Sequence, residues 1–198
     1  MKKVKNVSKA TGPVYKVPFR RRRKNLTNYA KRLALLKSGL PRLVVRKSNK
    51  GIVVQIISFT DKGDKTEASA NAKELEQYGW VVQSNLPTAY LTGLLCAKKV
   101  LKKGVKNAVF DMGLTKPTKA SVPFAALKGV VDAGVEIPHN PEVFDNERFS
   151  GKHVADYAKK IKDTAAYQKQ FSVYLKKGIS PENISDLFES VKSKLQKS

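Results

Sequence analysis

Residues 42–59 read Arg42-Leu43-Val44-Val45-Arg46-Lys47-Ser48-Asn49-Lys50-Gly51-Ile52-Val53-Val54-Gln55-Ile56-Ile57-Ser58-Phe59. Two runs rich in Val, Ile and Leu flank a connection in which Asn49 and Gly51 supply turn chemistry, and the stretch therefore predicts a β-hairpin. A second turn at Asp61-Lys62-Gly63-Asp64 leads to a short third strand. Residues 70–78 read as a brief helix ending at Gly79, and Val81 and Val82 as a further strand fragment. Downstream, Asn85 is placed to cap a helix with Pro87 in its first turn. Ala89, Leu91, Leu94, Leu95, Val100 and Leu101 carry that helix to a stop at Gly104. Residues 108–112 read as a buried strand. After the loop 113–120, Ser121 is placed to cap a helix of Phe124, Ala125, Leu127, Val130 and Val131 that stops at Gly134. Helix, strand, loop and helix after a hairpin predict an α/β domain whose mixed sheet carries helices on its faces.

Upstream of the hairpin, Leu26, Tyr29, Ala30, Leu33 and Leu36 recur at helical spacing from Asn25, and Gly39 and Pro41 end the helix. Residues 1–23 show no sustained periodicity, and like-charge repulsion predicts that they stay extended until a partner arrives. Beyond Ile137-Pro138-His139-Asn140-Pro141, which breaks regular structure, two further amphipathic stripes appear. One runs through Val154, Tyr157, Ala158 and Ile161. The other opens at Ser180-Pro181 and runs through Ile184, Leu187, Phe188, Val191 and Leu195. These helices hold too few apolar residues for a generous core of their own, so docking on the domain or on a neighbour is expected. The chain divides into a basic arm (1–24), an α/β domain with its N-terminal helix (25–135), and an irregular linker with a helical appendage (136–198).

Charge is distributed as unevenly as structure. Of the formal +23 carried by 198 residues, residues 1–50 hold ten Lys and seven Arg with no acid, a charge of +17. Residues 51–148 are nearly balanced, with twelve bases against eleven acids, and residues 149–198 hold ten against five. Such an excess selects a polyanionic partner. The lone Cys96 cannot form an intramolecular disulfide, which fits a reducing compartment rather than a stapled secreted scaffold. No apolar run approaches the length of a spanning helix, and the first residues show no apolar targeting segment. The expectation is a soluble cytoplasmic protein with no cofactor.

The strongest constellation is the arm Arg20, Arg21, Arg22, Arg23 and Lys24 running into a basic helix that bears Tyr29. Guanidinium forks pair with phosphates and stack on bases, and exposed RNA bases need aromatic partners. If about eight phosphates are neutralised, log K should fall against log salt with a slope of roughly −6 to −7. A localisation tag or a solubilising tail is the competing account, yet neither needs an acid-free stretch that continues through a helix and a strand. Lys98, Lys99, Lys102, Lys103 and Lys106 form a second basic arc, either a solvated face or a phosphate contact. The loop 113–121 precedes a helix N-terminus, so it is either an anion site or an ordinary connection; it lacks P-loop spacing. Catalysis finds little support. Asp111 ends a strand alone, Asp61 and Asp64 read as turn residues, and Glu74 and Glu76 as a solvated face. Arg42 and Arg46 stand on the first strand, where a two-metal nuclease would want an acid. His139, His153 and Cys96 have no metal-ligand spacing.

The residues Arg21-Arg22-Arg23, Thr27-Asn28-Tyr29, Lys31-Arg32-Leu33, Pro41-Arg42-Leu43-Val44-Val45-Arg46 and Ser48-Asn49 together resemble a known family. Ala89-Tyr90, Thr92-Gly93-Leu94-Leu95, Pro117-Thr118-Lys119, residues 124–129, Asp132-Ala133-Gly134, Ile137-Pro138-His139 and Gly151-Lys152-His153 agree with it, so the likeness covers about residues 15–155. The family is that of the large-subunit ribosomal protein that binds 5S rRNA, the eighteenth large-subunit protein of bacterial nomenclature, here in its shorter archaeal form. The resemblance implies a ribonuclease-H-like α/β sandwich without catalytic carboxylates. It implies a structural role: clamping 5S rRNA and anchoring it to the large rRNA in the central protuberance, beside neighbouring proteins that include a second 5S-binding protein. Carried onto this chain, it makes Arg20 to Lys24, Thr27, Asn28, Tyr29, Arg32, Arg42, Arg46, Ser48 and Asn49 RNA-contact candidates, with Lys119 and Ser121 as weaker ones. The sequence departs from the family at Ala120, where glycine is expected, and at Pro123. The rival readings are an RNA-processing nuclease on the same type of fold and a basic RNA-binding module outside the ribosome.

Overall fold

The computed structural model describes residues 12–197, so the first eleven residues of the basic arm lie outside the described residues. Four strands form one mixed sheet in the order β3-β2-β1-β4. The hairpin is β1 (Arg42–Lys47) and β2 (Ile52–Thr60), paired antiparallel with Val45 opposite Val54. β3 (Gly63–Asn71) extends the meander antiparallel to β2 with a bulge at Ile56/Ile57, and β4 (Val109–Asp111) lies parallel to β1 on its other side. The predicted third strand is longer than its turn chemistry suggested, because β2 offers it a full edge to pair with.

Side chains alternate across the pleat, so Leu43 and Val45 face one side while Arg42, Val44 and Arg46 face the other. The first side, with Ile52, Val54 and Ile56, is covered by α3 (Leu86–Leu101) and α4 (Val122–Asp132). Asn85 caps α3 as predicted, its Oδ1 accepting the Thr88 amide at 3.1 Å. The two helices cross very closely. A β-carbon at Gly93 would lie 2.2 Å from the Ala126 carbonyl oxygen, and one at Gly129 would lie 2.1 Å from that of Tyr90, so only glycine permits this approach.

Three expectations are corrected. Val81 and Val82 form no strand: the chain leaves the 3₁₀ segment Ala72–Tyr78 through a left-handed Gly79 and buries Trp80 and Val81 directly in the core. Ser121 sits at the start of α4, yet its hydroxyl makes no cap bond. The arm is not extended throughout, because Arg20–Arg23 form one helical turn, α1, closed by the Arg22 and Arg23 amides donating to the Phe19 carbonyl. Asn25 ends that turn at φ +50°, so α2 begins only at Tyr29 and runs Tyr29–Leu36 behind an Asn28 cap.

The C-terminal segments α5 (Asn146–Phe149), α6 (Lys152–Ile161), α7 (Ala165–Gln170), α8 (Ser172–Lys176) and α9 (Ile184–Lys197) extend the same core. Ile184, Phe188, Val191 and Leu195 are buried along α9, and the Phe188 ring lies 5.3 Å from that of Tyr90 and 6.3 Å from that of Trp80.

Candidate nucleic-acid interface

The sheet face opposite α3 and α4 is left open and floors a cleft of about 800 Å³. Arg42, Val44 and Arg46 reach it from β1 by the alternation of the strand, Asp64 from β3, Asp111 from β4, and Asn28, Tyr29, Lys31 and Arg32 from α2. Arg21 enters from α1, its Nε donating to Thr27 Oγ1 at 2.9 Å. Arg22 lies over the Tyr29 ring at 5.5 Å, a cation–π contact that folds the arginine run back onto α2. Arg20, Arg22, Arg23 and Lys24 are exposed and flank Arg21 along the chain.

Four charged groups organise this floor. Arg32 donates both guanidinium nitrogens to Asp64, at 2.7 and 2.8 Å. Arg42 donates Nη2 to the same carboxylate at 2.9 Å and Nη1 to Asp111 at 2.7 Å. Asp111 in turn accepts the Gly113 amide at 2.8 Å. The Arg32 hydrogen bond holds the Asp64 carboxyl below its ordinary range, partial burial acting against it, and the same bond raises the Arg32 pKa. Asp64 is therefore ionised at neutral pH, and its pairs are lost only as acid protonates it.

These contacts correct two readings. Asp64 is not merely a turn residue, and Asp111 does not end its strand alone. They also change the place of Arg42, which is 3% exposed with its guanidinium committed to two carboxylates: it builds the floor and does not reach outward. Arg46 is exposed, and its guanidinium lies against Gly113, where a β-carbon would come within 3.1 Å of Nη1.

The remaining candidates stand outside the cleft. Ser48 closes the β1–β2 turn through Oγ, which donates to the Gly51 carbonyl at 3.0 Å and accepts the Gly51 amide at 3.1 Å, with Asn49 exposed beside it. Lys119 is exposed, 4.0 Å from Glu142. Ser121 Oγ is buried without a hydrogen-bond partner, so it cannot reach a phosphate as placed. Pro123 further removes one amide donor from the first turn of α4, which weakens the loop as an anion site. Ala120 adopts φ +54°, the left-handed conformation that explains why glycine is expected there.

In the second basic arc, Lys99 pairs with Glu74 and donates to the Ser69 carbonyl, and Lys103 donates to the Glu67 carbonyl, tying α3 to β3. Burial pushes the Cys96 thiol up to about 12. The His139 ring lies tilted 5.0 Å from that of Phe144, and burial followed by Arg148 lowers the His153 pKa. Among the described residues no group of three or more His, Cys, Asp or Glu side chains is placed to hold a metal ion.

Lys31, Lys47, Met112 and Thr115 also line the cleft and were not among the RNA-contact candidates, although Lys31 stands in the motif Lys31-Arg32-Leu33 and Thr115 in the loop 113–121. Lys31 lies three residues from Asn28, a helical spacing that could have flagged it; nothing local announces Met112. Six basic side chains against two acidic ones line the cleft.

A mixed α/β body whose open sheet face is lined by six basic side chains has the build of a protein that assembles on a polyanion. Comparison with known proteins gives that class a family. Residues 14–108 match the family described as ribosomal large subunit proteins 60S L5 and 50S L18. The chain is also 51% identical over 179 residues to the large ribosomal subunit protein uL18 of Korarchaeum cryptofilum, covering 89% of this chain and 92% of that one. The chain belongs to the uL18 family of large-subunit ribosomal proteins, in its archaeal form.

Proposed function

We propose that the chain binds 5S rRNA through its N-terminal basic face and mediates attachment of that RNA to the large rRNA in the central protuberance. It acts there as a non-catalytic constituent of the cytoplasmic ribosome, beside neighbouring proteins that include a second 5S-binding protein. The observation that carries this reading is that the described part of the acid-free segment, from Arg21 to Lys47, lines one cleft. Arg21, Thr27, Asn28, Tyr29, Arg32 and Arg46, which are far more basic than the body behind them, line it together. Arg20, Arg22, Arg23 and Lys24, which flank Arg21 along the chain, and Ser48, Asn49 and Lys119, which stand outside the cleft, are further candidate contacts. Arg42 serves as a support.

The reading of the sheet as a ribonuclease-H-like sandwich without catalytic acids is supported by Arg42. A cation stands on the central strand, and it neutralises the two neighbouring carboxylates that a metal would otherwise require. Filter binding to 5S rRNA, with the full chain and with a chain lacking residues 1–24, tests the proposal. Affinity should drop and salt dependence should flatten on truncation. Unchanged binding would refute the arm's role, and Mg²⁺-dependent RNA cleavage by the pure protein would overturn the structural reading.

A further inference from the structure

We infer that Asp64 is a positioning residue of this interface: its carboxylate, set among arginines, fixes the basic helix α2 against the sheet and so lays out the cations that RNA meets. The inference rests on the RNA-binding reading above and goes beyond it, because it assigns a favourable role to an acid inside a phosphate-binding cleft.

Packing holds α2 only sparsely. None of its residues is buried, Leu33 is 58% exposed, and a cavity of about 300 Å³ is lined by Ala34 and Leu35 together with Phe110 and Met112. Among the described residues, Arg32 makes the side-chain hydrogen bonds that join α2 to the sheet, and both go to Asp64.

An exposed ion pair usually contributes little, but a bidentate fork within a charge network is the exception. Both conditions hold here. The planar Arg32 guanidinium meets both carboxylate oxygens, and the carboxylate is gripped from below by Arg42, which Asp111 holds in turn. The alternating row Arg32, Asp64, Arg42, Asp111 runs from α2 down through β3 and β1 to β4. Its rigid end is the buried Arg42–Asp111 pair, and its outer end sets where Tyr29, Lys31 and Arg32 stand.

Charge alone and positioning predict opposite signs. A carboxylate beside phosphates repels them, so neutralising it should tighten RNA binding. If Asp64 instead holds α2 in the binding geometry, neutralising it lowers the population of competent chains and weakens binding by that fraction.

The experiment compares the unaltered full chain with Asp64→Asn, by filter binding to 5S rRNA across a salt series and by hydrogen exchange of the free proteins. Asp64→Asn should weaken binding by about fivefold or more although it raises the net charge. The α2 amides should exchange faster while those of α3 keep their protection. Arg32→Lys, which keeps the cation but loses the fork, should move both readouts the same way and serves if Asp64→Asn folds poorly. Equal or tighter binding by the variants would overturn the inference, as would weaker binding with unchanged α2 exchange. Failure of the unaltered chain to bind 5S rRNA in a salt-dependent way would be a different result, bringing down the RNA-binding reading and this inference with it.

Discussion

Arg42 shows how one side chain can be misread from its charge and understood from its neighbours. On a strand reading Arg-Leu-Val-Val-Arg it resembles Arg46, and both point to the same sheet face by the two-residue period. Yet Arg46 is exposed, while Arg42 is closed over by the Asp64 and Asp111 carboxylates. The sequence places those acids 22 and 69 residues away, and no local pattern joins them. Replacing Arg42 with Ala strands the Asp111 carboxylate, whose side chain is only 11% exposed, and should cost about 3–5 kcal/mol in urea unfolding. Tyr29 is the opposite case. It is half-exposed beneath Arg22 and outside the core, so Tyr29→Ala should leave the unfolding free energy within about 0.5 kcal/mol of the unaltered chain, with little change in the thermal midpoint, while weakening 5S rRNA binding. A large drop in the midpoint would mean that the ring packs instead of stacking.

At the scale of elements, the hairpin, α3 and α4 were readable because each is long, periodic and bounded by its own signals: the Asn49–Gly51 turn, the Asn85 cap with Pro87, and the glycine at 134. The short pieces were not. α1 depends on the Phe19 carbonyl and on the Arg22–Tyr29 stack, and α2 starts where Asn28 can cap, three residues after the start that the apolar stripe suggests. That stripe was a misleading guide to burial, since Leu26 and Leu33 remain exposed. The α3–α4 contact was invisible for another reason. Two helical glycines look like weak points until the crossing is seen, where each admits the partner's backbone. Gly93→Ala or Gly129→Ala should lower the unfolding free energy by about 1–3 kcal/mol or more, read as a lower urea midpoint at unchanged m-value, because a β-carbon must push backbone rather than a flexible side chain.

Across the whole molecule, a nearly neutral body presents a strongly basic face, and the C-terminal helices brace the side away from it. The docking of α9 followed from its stripe, but its target could not, because Trp80, Tyr90 and Phe188 meet only in three dimensions. Phe188→Ala should destabilise the body by about 3–5 kcal/mol, with Trp80 fluorescence and helical ellipticity unfolding together in urea. Separate transitions would show that the helices are an independent appendage. The central claim is that the acid-free N-terminal segment grips RNA phosphates, and its most direct test is the salt dependence of 5S rRNA affinity for the full chain and for the triple change of Arg21, Arg22 and Arg23 to Ala. The unaltered chain should give a slope of roughly −6 to −7 in log K against log salt, and the triple variant a slope flatter by about 2, each lost phosphate contact removing its share of counterion release. Weaker binding with an unflattened, parallel slope, or no change at all, would contradict it.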